Sequence, residues 1–185
     1  MQGMVEQWLD RRSPEQARIV SVCAGQGRDL LEVMAARSDV AGLSALLVEL
    51  EPANVAAARA LAARVPTDAV VEVIEGDAAQ LAAYEGAVPA DLVLVCGVFG
   101  NVSNDDVRRT VEALPMLCAA GATVVWTRHR NPPDLTPEIR AWFEAAGFHE
   151  ADFVAPGDVK WSVGMHVFGG LPRPLDPDGV MFRFL

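Results

Sequence analysis

The chain has 185 residues, 51% hydrophobic and 22% charged, which suits one soluble globular domain over residues 1–185 with most of its apolar surface in one core. Its net charge of −10 argues against a general nucleic-acid binder, because neutralising phosphates needs an excess of Lys and Arg. No long uncharged apolar segment would span a membrane, and the N-terminus lacks the basic and apolar regions of a secretion signal, so a cytoplasmic protein is expected.

After an expected helix over Met4–Arg11 comes a first strand at Ile19–Cys23, then a helix at Arg28–Ala36. A second strand covers Ala45–Glu49. Pro52 follows where a helix can begin, since proline suits the first turn, and that helix runs through Asn54–Arg64. The third strand is Val70–Glu75 and the fourth Asp91–Cys96, the latter nearly all apolar, as a strand buried on both faces should be. A helix over Asp105–Cys118 should break or kink at Pro115. Gly121 introduces a fifth strand at Thr123–Arg128. Thr136 is placed as the N-cap of the next helix, Pro137 as its first residue and Gly147 as its C-terminal stop. Phe148–Val154 and Ser162–Phe168 then read as consecutive strands, and Gly179–Leu185 as an edge strand or a tail. Strands alternating with Ala-rich helices are the pattern of a parallel sheet covered on both faces, here closed by an antiparallel hairpin.

Cys23, Cys96 and Cys118 form no CxxC pair and no zinc-spaced Cys/His pattern, so they read as small buried hydrophobes and no metal site is expected. The informative stretch is Ile19-Val-Ser-Val-Cys-Ala-Gly-Gln-Gly-Arg-Asp-Leu30. A strand running into Gly25-x-Gly27 and then a helix lets backbone approach a ligand closely, because glycine carries no Cβ. Glu49 ends the second strand at close to the spacing of about 20 residues expected of a ribose-binding acid, and a carboxylate there can accept from both ribose hydroxyls. Asp77, in Gly76-Asp77-Ala78, follows the third strand and is placed to reach an adenine amino group. All three signals fall at the carboxyl ends of adjacent strands, where open α/β sheets bind ligands.

These residues resemble the class I S-adenosylmethionine (SAM)-dependent methyltransferases, and Val48-Glu49-Leu50-Glu51-Pro52 is similar to that family's V-D-x-S-P segment. The resemblance covers roughly residues 18–168 and implies a Rossmann-like, mostly parallel seven-stranded α/β sandwich with a C-terminal antiparallel hairpin. It implies SAM as cofactor, held by Cys23, Ala24, Gly25, Gly27, Asp29, Glu49, Leu50, Asp77, Ala78, Cys96 and Gly97. Two positions depart from the family's [DE]-x-G-x-G-x-G loop: Ser21 replaces the acid and Cys23 the first glycine. The variant Cys-Ala-Gly-x-Gly-Arg-Asp looks like an actinobacterial-type subgroup. Asp29 could there contact the cofactor's amino group, or serve as a charge in the first helical turn. A nicotinamide-binding turn would need Gly or Ala where Leu30 stands, which puts an NAD(P)-dependent oxidoreductase behind.

Acceptor chemistry should lie in the loops after strands four and five. Phe99 could stack on an acceptor and Asn101 could hydrogen-bond one, although a packed Phe and an Asn turn explain the same residues. Cys96-Gly97-Val98-Phe99 lacks the polar head and prolines of the base-methylating [DNS]-P-P-[YF] motif, and Asn131-Pro-Pro-Asp134 follows the wrong strand. Arg128, His129 and Arg130 end strand five, where Arg could bind a carboxylate or phosphate and His129 could act as base; an exposed strand end paired with acids is the alternative. His166 reads as structural; Trp161 could line a pocket, with a core Trp the preferred reading. The expected reaction is methyl transfer to a small-molecule acceptor, with Asn101, Arg128 and His129 as catalytic candidates; a SAM-binding sensor or inactive partner subunit is the second reading. Homodimerisation could complete a pocket that so short a chain leaves open.

Overall fold

A computed structural model describes residues 1–11 and 16–185. In chain order the elements are α1 (Gln2–Arg11), β1 (Ala17–Val22), α2 (Arg28–Ala35), β2 (Leu43–Glu49), α3 (Pro52–Ala62), β3 (Val70–Glu75), β4 (Ala90–Val95), α4 (Asn104–Ala113), β5 (Cys118–His129), α5 (Thr136–Ala145), β6 (Phe148–Val154) and β7 (Trp161–Phe168). The seven strands form one sheet in the order β3-β2-β1-β4-β5-β7-β6. The first five are parallel; β7 runs antiparallel to both β5 and β6. This is the expected Rossmann-like architecture, and its strand order reverses between β1 and β4, where such sheets open a crevice.

Strand alternation divides the core into two layers. Val20, Val22, Val93, Val95, Val124 and Trp126 face α4 and α5, packing with Val107, Val111, Ile139 and Phe143. Ile19, Leu92, Leu94 and Val125 face the opposite way, against Val5 and Leu9 of α1, Leu30 and Leu31 of α2 and Val55 of α3. Each such buried aliphatic side chain contributes about 1.5–3 kcal/mol relative to exposure, so the apolar β4, buried on both sides, anchors the sheet. No helix among the described residues is long and apolar enough to cross a membrane.

Local boundaries moved where turn chemistry competed with periodicity. Helix α4 is capped by Ser103, whose Oγ accepts the Asp106 N–H (3.1 Å), and it stops at Ala113; Leu114–Met116 form a short 3-10 turn around Pro115. Strand β5 therefore starts at Cys118, and Gly121 lies inside it at a register irregularity opposite Ala90–Leu92. Thr136 is the first residue of α5 rather than its cap: Asp134 Oδ1 accepts both its N–H (2.9 Å) and its hydroxyl (2.8 Å). The C-terminal segment is a tail, not a strand. It is tied by the bridges Gln80–Val180 and Val102–Phe184 and by Met181 and Phe182, which are buried.

Candidate functional site

At the carboxyl ends of β1 and β4 lies a cleft of about 680 Å³. Its walls include Ser21, Cys23, Ala24, Gly25, Gly27 and Asp29 from β1 and the turn into α2, and Cys96, Gly97 and Thr127 from the far side. Gly25 (φ +56°) and Gly97 (φ +74°) take left-handed backbone, and a Cβ placed on either would meet nothing within 4 Å. The space beside them is the cleft, bordered on both sides by bare backbone. Gly27 serves a different need: a Cβ there would stand 2.7 Å from Leu31 Cδ1 and 2.9 Å from Leu47 Cδ2, so its hydrogen lets the turn press onto the sheet. Cys23, standing where the related loops have glycine, also has positive φ (+52°), a conformation costing an L-residue about 1–2 kcal/mol.

Glu49 is almost fully buried and braces this turn from behind. One carboxylate oxygen accepts the Gly25 N–H at 2.7 Å; the other accepts the Glu51 N–H at 3.0 Å and the Asn54 amide at 3.4 Å. A carboxylate offers about four acceptor positions and three are taken, so one remains for a ligand hydroxyl. Asp77 is exposed, with Oδ1 accepting the Ala79 N–H at 2.9 Å, while Ala78 is buried and its carbonyl accepts the Tyr84 hydroxyl at 2.7 Å. Leu50 stands at the surface, 61% exposed. Glu49, Leu50, Asp77 and Ala78 thus lie outside the walls of the cleft, at the ends of β2 and β3. Cys23 connects the two zones: burial, then the charges of Glu49 and Asp77, push its thiol up to about 12, so it stays neutral. Burial also keeps Cys96 and Cys118 protonated.

A second pocket, of about 430 Å³, shares Gly97 and Thr127 with the first. Met1, Gly100, Asn101, Arg128, His129, Trp161, Ser162 and Val163 complete it. Three sequence candidates, Asn101, Arg128 and His129, therefore come together. Phe99 does not join them: it has no exposed surface and its ring packs 5.8 Å from that of Trp126, leaving no face for an acceptor. Arg130 is committed elsewhere, its Nη2 donating to the carbonyls of Pro156 and Val159 in the loop before β7. Asn101 donates its side-chain amide to the Gly97 carbonyl at 2.7 Å, bracing the loop after β4.

Of two further pocket residues, Trp161 takes the less favoured of its two sequence readings and Thr127 was not singled out from the sequence. Trp161, expected in the core, is 48% exposed and pairs with His129 across the β5–β7 ladder. Thr127 Oγ1 accepts the Gly97 N–H at 3.0 Å at the junction of the compartments. Strand alternation about the apolar Trp126 gives Thr127 its side; nothing in the sequence gives the antiparallel register that brings Trp161 beside His129. His166 is structural as expected: it is buried, accepts Trp126 Nε1–H at 3.2 Å and stacks on Phe143. Among the described residues no group of His, Cys, Asp and Glu is arranged to hold a metal.

Residues 2–143 match the model of a family described as "Putative methyltransferase". No curated protein matches the chain. Solved structures share its fold. A possible exported protein of Bordetella parapertussis aligns with TM-score 0.69 and 18% identity, covering 91% of this chain and 67% of that one. An O-methyltransferase family protein of Burkholderia thailandensis gives 0.68 and 18%, covering 91% and 56%. The magnesium protoporphyrin IX methyltransferase of Synechocystis PCC 6803, solved with bound S-adenosylhomocysteine (SAH), gives 0.68 and 13%, covering 90% and 82%. The chain spans about two thirds of the first of these proteins and little more than half of the second.

Proposed function

From the premise that this chain belongs to the methyltransferase family matched over residues 2–143, we propose that it transfers the methyl group of SAM to a small-molecule acceptor. The observation that carries the reading is the cleft at the strand-order reversal, edged by the bare backbone of Gly25 and Gly97 and braced by the Glu49 carboxylate. The residues present fit the cofactor. Glu49 retains one acceptor position for a ribose hydroxyl, Leu50 offers an exposed apolar surface at its side, and Asp77 has its carboxylate at the surface for an adenine amino group. Asp29 and the Ser21 hydroxyl, on the other side of the turn, would receive the amino-acid end, with Cys23, Ala24, Gly27, Ala78 and Cys96 shaping the walls and supporting turns.

When bound, SAM would supply an activated methyl group for an acceptor lone pair, with SAH as the product left behind. The protein's task is then to orient the acceptor. Asn101 positions the loop after β4 through its bond to Gly97, and Arg128 and His129 present polar groups beside the junction at Thr127. Leu30, fully buried against α1 and β2 residues, fills the helix–sheet interface that a dinucleotide-binding turn keeps for glycine. Calorimetric titration with SAM, SAH and NAD tests the reading: SAM and SAH bind and NAD does not. Absence of SAM and SAH binding at millimolar ligand would sink it.

A further inference from the structure

The chain's single tyrosine, Tyr84, lines neither pocket, yet its hydroxyl is tied to the turn that carries Asp77. The side chain has no exposed surface and belongs to the core layer of Val20, Val22 and Val93. A phenol so placed must give its O–H a partner, and that partner is the carbonyl of the buried Ala78, at 2.7 Å. Burial, then the influence of Cys23 and Asp77, raises the phenol well above its ordinary value, so the donor stays protonated.

The Ala78 carbonyl and the Ala79 N–H belong to one rigid peptide plane and point in opposite directions. Tyr84 donates to the carbonyl, and Asp77 Oδ1 accepts the N–H at 2.9 Å. Phenol and carboxylate therefore grip opposite edges of the same plane. The residues beyond it are held by backbone: Gln80 N–H donates to the Asp77 carbonyl at 3.1 Å, Met181 N–H to the Ala79 carbonyl at 2.9 Å, and Leu81 N–H to the Gly179 carbonyl at 3.0 Å. Without the phenol the buried Ala78 carbonyl loses its partner, and the plane is free to turn in search of another. Turning it moves the Ala79 N–H, and with it the carboxylate. The other oxygen of Asp77, Oδ2, accepts the exposed Gln80 amide at 3.3 Å, which leaves room for a donor from a ligand.

We propose that Tyr84 is a positioning residue for base recognition. Through the Ala78–Ala79 peptide it fixes the direction of the Asp77 carboxylate. It thereby sets the preference for a base with an exocyclic amino group over one with a carbonyl oxygen at the same place. This rests on the reading that Asp77 meets the adenine of SAM. Tyr84 acts through the turn and touches no ligand.

The test titrates SAH and S-inosylhomocysteine, in which a carbonyl oxygen replaces the adenine amino group, into the unaltered protein and into Tyr84→Phe. The unaltered protein binds SAH at least roughly tenfold more tightly, the scale of one hydrogen bond to a charged group. Tyr84→Phe keeps the ring and removes the O–H. It weakens SAH but not S-inosylhomocysteine, so the preference falls to about threefold or less. A merely structural role would leave the ratio intact in the folded variant, so an unchanged ratio overturns the proposal. Should the variant fail to fold, the single tyrosine carries a second test. With isotopically labelled tyrosine in the unaltered protein, saturating SAH shifts the Tyr84 ring signal further than saturating S-inosylhomocysteine; equal shifts, or none, overturn the proposal. SAH binding without a preference in the unaltered protein also overturns it, and leaves the cofactor reading standing. Absence of SAH binding overturns both.

Discussion

Around Gly25 the walls are backbone: left-handed glycines, a parallel-strand terminus, and a carboxylate spent largely on N–H groups of its own turns. Around His129 they are side chains hung on an antiparallel ladder, with Thr127, Val163 and Trp161 on the same face of the β5–β7 pair. The first compartment is shaped by constraints local in sequence, which many acceptor chemistries can share. The second depends on the pairing of β5 with β7, so its shape can change without disturbing the first.

Acid should loosen the second compartment before the first. Burial holds His166 down at about 4, against 6.5 for the free side chain, with Glu150 opposing and Arg140 adding to the effect. Because the folded state resists protonation, stability is complete above pH 6.5, is lost as pH falls towards 4, and stays low below that; the full loss is roughly 3 kcal/mol. His166→Gln should flatten the denaturant midpoint across this window. An unchanged pH profile would remove His166 as its source.

Gly164→Ala strikes the same ladder at neutral pH. A Cβ there would stand 2.3 Å from Cε2 of the buried Trp126, which pairs with Gly164 across the strands. Overpacking of this kind costs about 1–3 kcal/mol, readable as a lowered urea midpoint. SAH affinity should nevertheless hold in the folded variant. If affinity falls with stability, the compartments are not separable.

The smallest of the three effects lies on the backbone side. Glu49→Ala removes the acceptor for the Gly25 and Glu51 N–H groups as well as the proposed ribose contact. SAM affinity should fall by roughly tenfold or more, the scale of one hydrogen bond to a charged group. Unchanged affinity would remove Glu49 from the cofactor site.

This contrast also explains what could be read from the sequence. The turn at Cys23–Asp29, Glu49 and Asp77 carry their meaning in glycine placement and strand order, so the fold and the cleft-forming segments were legible. Positive φ at Cys23 was not, since only the related loops' glycine hints at it. Phe99 was misplaced because an aromatic in a loop looks available until the tilted packing on Trp126 fixes it inward. Trp161 was misplaced for the opposite reason: its neighbour His129 is set by antiparallel register, and local pattern does not encode the pairing of strands separated by α5 and β6.

The most direct measurement is the change in backbone amide resonances of isotopically labelled protein on adding SAH. The account predicts large shifts at Ala24, Gly25, Gly27 and Gly97, with smaller ones at Glu51 and Ala79, and little change at His166 or Phe148. Shifts confined to residues away from the ends of β1, β2 and β4, or no shifts at saturating SAH, would contradict it.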